Sequence, residues 1–119
     1  MNHLALVRAA DDPGVLAEIV TMGADVRPMI AALQVAQRGN DATTIRSAIR
    51  VVGAERTRLI ARLEAGEAWF RQATPTTDAQ RRQVAVQEAR WIALLRCYQS
   101  CEDAIADATP SVDQLRLAA

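Results

Sequence analysis

Ala73-Thr74-Pro75-Thr76-Thr77-Asp78-Ala79-Gln80 is the stretch on which the fold turns. Pro75 lacks the backbone N–H that a continuing helix needs. Thr77 followed three residues later by Gln80 fits a capping box, in which each side chain accepts from the other residue's backbone N–H. The stretch therefore predicts a loop that ends one helix and opens another.

Both flanks carry helical periodicity. Upstream, Ile45, Ile49, Val52, Arg56, Leu59, Leu63, Gly66 and Phe70 recur in alternating steps of four and three. That seam predicts a helix over 42–73, capped by Asp41. Downstream, Val84, Glu88, Trp91, Leu95, Tyr98, Glu102 and Ile105 form a second seam, widened by Ile92, Leu94 and Cys101. It predicts a helix over 78–107. Thr109-Pro110-Ser111 reads as its stop, and Val112, Leu115 and Leu117 as the docking edge of a short tail helix, 111–118.

Two long helices joined by a short loop are antiparallel neighbours. Folding the chain near residue 75 brings Arg50 to Glu102 and Arg62 to Glu88. The charges agree: residues 46–62 hold five arginines against Glu55, whereas Glu102, Asp103, Asp107 and Asp113 lie in a stretch without a base. Arg50, Arg62, Glu88 and Glu102 are therefore the candidate register-setting charges.

Before the hairpin, residues 2–10 predict a short helix ended by Asp11-Asp12-Pro13-Gly14. From there Val15, Ile19, Met22, Val26, Met29, Leu33 and Ala36 keep one phase across Pro28, which predicts a single kinked helix, 13–38. Leu16, Val20 and Ile30 add a second apolar stripe. A helix apolar on two sides is central or engaged with another chain. Leu16, Val20, Met22, Val26, Met29 and Ile30 are accordingly the candidate protein interface. The expected fold is all-α, a bundle of three to four main helices in one domain, 1–119, built on the hairpin.

Composition removes most chemistries. The 119 residues carry no formal net charge, so bulk charge draws the chain to neither nucleic acid nor membrane. All 14 basic residues are arginine and 24 residues are alanine, which fits a GC-rich coding sequence. His3, the one histidine, lies at the N-terminus and cannot anchor a Ser-His-Asp or Cys-His arrangement. No Glu-x-x-His pair suggests a di-iron bundle. Cys97 and Cys101 supply too few ligands for zinc and read as small packed residues. No cofactor or metal is expected. Arg46, Arg50, Arg58 and Arg62 spiral slowly round their helix without interleaved aromatics, a poor nucleic-acid surface.

No apolar run approaches the ~20 residues that span a bilayer, and no secretory pattern opens the chain. The expectation is a cytoplasmic protein, or part of a particle assembled in the cytoplasm. The expected function is non-enzymatic: a helical interaction or structural protein that self-assembles or docks into a larger complex, such as a virion component or phage connector. The alternatives are a small adaptor or chaperone binding a client helix, and a small helical enzyme or nucleic-acid binder using the arginine row.

Overall fold

The computed structural model describes residue 17 and residues 19–118, and the expected helix 2–10 and Leu16 lie outside them. The described residues are all-α. Helix α1 spans Arg27–Arg38, α2 spans Ala42–Gln72 and α3 spans Asp78–Ala118, with a further helical segment ending at Thr21. Helices α2 and α3, of 31 and 41 residues, form the expected antiparallel hairpin.

The caps show why the helices begin where they do. Asp41 accepts the Thr43 backbone N–H at 3.0 Å and the Thr44 hydroxyl at 2.7 Å, which satisfies an orphan donor of the first turn of α2. The two hydrogen bonds, Thr44's first, hold the Asp41 carboxyl below its ordinary range. At the start of α3 the capping box forms in both directions. The Gln80 N–H donates to the Thr77 hydroxyl and the Thr77 N–H to Gln80 Oε1, each at 3.1 Å.

Two expected boundaries are corrected, both at prolines. Residues 13–38 are not one kinked helix. The segment ending at Thr21 closes in a Schellman motif: the Gly23 N–H bonds the Val20 carbonyl and the Ala24 N–H bonds the Ile19 carbonyl, both at 3.0 Å. Gly23 sits at φ +67°, the left-handed conformation this motif requires. Pro28 then lies in the first turn of α1, where its missing N–H has no intrahelical partner to lose. At the other end, Pro110 does not stop the hairpin's second helix. It lies inside α3, which absorbs the expected tail helix 111–118. Ala108 and Val112, on either side of Pro110, are both buried, and their burial offsets the lost backbone bond.

The described residues fall into two compact units. The first holds the described part of Met1–Asp25 together with Leu59–Cys97. Its buried residues are Ile19, Ala24, Leu59, Leu63, Ile92, Ala93, Leu94 and Cys97. The second holds Val26–Arg58 and the segment from Tyr98 onward. It buries Val26, Leu33, Ile45, Val52, Cys101, Ala108 and Val112. In this unit α1 meets α3 through a hydrogen bond of 3.3 Å from the Gln37 side chain to the Asp107 carbonyl.

The α2 seam is the inner face of that helix. On α3 the buried stripe is displaced. Leu94, Cys97, Cys101, Ala108 and Val112 carry the core, while Trp91, Leu95, Tyr98, Glu102 and Ile105 are half-buried flanks and Glu88 is exposed. The buried residues at 97, 101 and 108 are small.

Candidate functional site: an aromatic cleft in the first unit

Three of the chain's four aromatic residues gather where α2 ends and α3 returns. Trp69 and Phe70 come from the last turn of α2, and their rings meet edge to face with centroids 5.3 Å apart at 80°. Trp91 comes from α3 and is fixed in two ways. Its indole N–H donates to the Leu63 carbonyl at 2.9 Å. Its ring also lies over Gly66, so closely that a Cβ at position 66 would sit 2.5 Å from Trp91 Cδ1. A glycine on α2 thus makes the space into which an α3 tryptophan is keyed.

Two clefts share Phe70 and Trp91. One, of about 480 Å³, adds Val84 and Pro75 and carries Glu67, Arg71 and Glu88. The other, of about 400 Å³, is walled by Met22, Trp69, Trp91 and Leu94, with Arg62 and Arg90 as its charged lining residues. Arg62 also donates a long hydrogen bond of 3.5 Å to the Met22 carbonyl, one of the groups left without a helical partner where that segment ends. Trp69 remains 40% exposed, a large apolar surface facing water.

A separate charged group lies in the second unit. Arg56 pairs with Glu102 at 3.1 Å, with side-chain exposures of 34% and 43%. The Tyr98 hydroxyl donates to Glu102, and this bond, helped by burial and the adjacent negative charge, raises its pKa above the ordinary tyrosine value. Beside them Glu55 is 7% exposed and accepts from Arg58 at 3.0 Å. A buried carboxylate is costly unless paired, and Arg58 reaches in from solvent to pair it.

The register is therefore not the one expected. Glu102 pairs with Arg56, six positions further along α2 than Arg50. Arg62 reaches back to Met22, and Glu88 is an exposed wall of the larger cleft. The cause is an unsymmetrical turn. The residues from Asp78 to Gln83 at the start of α3 are exposed, and Val84 is the first half-buried residue of α3, lining one cleft with Phe70 and Ala73.

The candidate interface residues also separate. Val26 is buried within its own unit, whereas Val20 is exposed and Met22, Met29 and Ile30 are half-buried. The helix break at residues 22–26 means that they do not form a stripe on one helix. Glu55 and the aromatic cleft were not among the expected sites. The signal for the cleft was present: Trp69, Phe70 and Trp91 are the aromatics nearest the loop on each side.

Cys97 and Cys101 are buried and form no disulfide, and no group of three or more metal-ligating side chains occurs among the described residues. The site's surface is apolar and aromatic, with arginines in both clefts and Glu67 and Glu88 in the larger one. Searches against protein-family models, curated proteins and solved structures each find no match to this chain.

Proposed function

We propose that this is a non-enzymatic helical interaction protein, which assembles with copies of itself or docks into a larger complex through the aromatic clefts of its first unit. The observation that carries the reading is the exposed Trp69 beside clefts walled by Phe70, Trp91 and arginines. Tryptophan and arginine are the residue types that dominate binding energy in protein interfaces, and they act from pockets like these. The hairpin suits that role, because its capped helices hold the aromatic rings in place before a partner arrives and so lower the ordering cost of binding. No helix among the described residues is long and apolar enough to cross a membrane, and a cytoplasmic protein–protein role is in keeping with that.

The test is absolute mass in solution, by size-exclusion chromatography with light scattering over a tenfold concentration range. The wild-type chain and Trp69→Ala should be run together. A mass above that of one chain, which Trp69→Ala lowers while leaving helicity unchanged, supports self-assembly through this end. A concentration-independent monomer removes self-assembly and leaves docking to a different protein.

A further inference from the structure

We draw no further inference here: the strongest candidate, the aromatic cleft of the first unit walled by Met22, Trp69, Trp91 and Leu94, carries nothing, because its Arg62 is engaged with the Met22 carbonyl, its Arg90 has a partner within the protein, and nothing in the structure shows what covers it.

Discussion

Gly53 and Gly66 both lie in the interior of α2, and helix propensity alone assigns them one behaviour: replacement by alanine should stabilise by about 0.5–1 kcal/mol. Packing predicts that they diverge. At Gly53 an added Cβ meets nothing within 4 Å, so Gly53→Ala should show the full propensity gain. At Gly66 the added Cβ would lie 2.5 Å from Trp91 Cδ1 and 3.2 Å from its Nε1. Carbon atoms rest at about 3.5–4.0 Å, so the indole must move by roughly 1 Å or the helices must part. A movement of that size stretches the 2.9 Å bond from the indole to Leu63 beyond hydrogen-bonding range.

Overpacking costs typically ~1–3 kcal/mol and a lost hydrogen bond ~0.5–1.5 kcal/mol. Set against the propensity gain, Gly66→Ala should destabilise by about 1–3 kcal/mol. Urea denaturation followed by both circular dichroism and tryptophan fluorescence would read the two variants side by side. A second background sharpens the result. With Trp91→Ala already in place the obstruction is gone, and Gly66→Ala should then stabilise as Gly53→Ala does, a coupling that a double-mutant cycle isolates. If Gly66→Ala stabilises the otherwise unchanged protein as much as Gly53→Ala, the keyed tryptophan is refuted, and with it the geometry of both clefts.

The adjacent leucines of α3 test the displaced seam. Leu94→Ala should cost about 2–5 kcal/mol and Leu95→Ala distinctly less, since only Leu94 is buried, and equal losses in chemical denaturation would restore the expected seam. Pro110→Ala should stabilise by roughly 1–3 kcal/mol by restoring a helical bond, whereas no change would place Pro110 at a helix end. Two titrations have opposite signs. Tyr98 is raised by its bond to Glu102, so its stabilisation is present below the ordinary tyrosine pKa of 10.0 and is lost as pH rises through the higher folded value. Glu102→Gln should return the ultraviolet tyrosinate titration toward that ordinary value. Asp41 is lowered by its hydrogen bonds to Thr44 and Thr43, so its contribution is present above the ordinary value of 3.8 and is lost as pH falls through the lower folded one. An acid unfolding profile unmoved by Asp41→Asn would refute that.

The hairpin was legible because its signals agreed at every level. Thr77 and Gln80 cap each other, Asp41 caps α2, and the apolar steps of α2 mark the side that is buried. The register was not legible, because it depends on where the returning helix first finds a partner, and no single residue announces that the first turn of α3 will stand exposed. Nor was Glu55. Read linearly it is the lone acid in a basic run, and only the packed helix shows that it faces inward one turn from Val52. The α3 core was legible in part: Ile92, Leu94 and Cys101 stand in the widened seam and are buried, whereas Ala108 and Val112 were missed because Thr109-Pro110-Ser111 reads as a stop and the helix runs on through it.

The two prolines show that a helix stop is a property of its surroundings. Pro28 interrupts an apolar phase that continues on both sides, and phase alone argues for an unbroken helix. Pro110 sits between a threonine and a serine, a composition that argues for an end. Both inferences fail for one reason: the element that decides is a glycine. Five residues before Pro28, Gly23 takes the left-handed conformation that turns the chain out of the helix and lets two backbone N–H groups close its last turn. Once the chain has left, proline is well suited to the first turn of the next helix. No glycine occurs anywhere in α3, so the chain has no such exit near Pro110, and burial of Ala108 and Val112 carries the helix through. On this argument Gly23→Ala should strain the Schellman turn by about 1–2 kcal/mol. Pro28→Ala should leave the break at residues 22–26 where it is, with helicity by circular dichroism essentially unchanged. A rise in helicity on Pro28→Ala alone would show that proline, not glycine, holds the two helices apart.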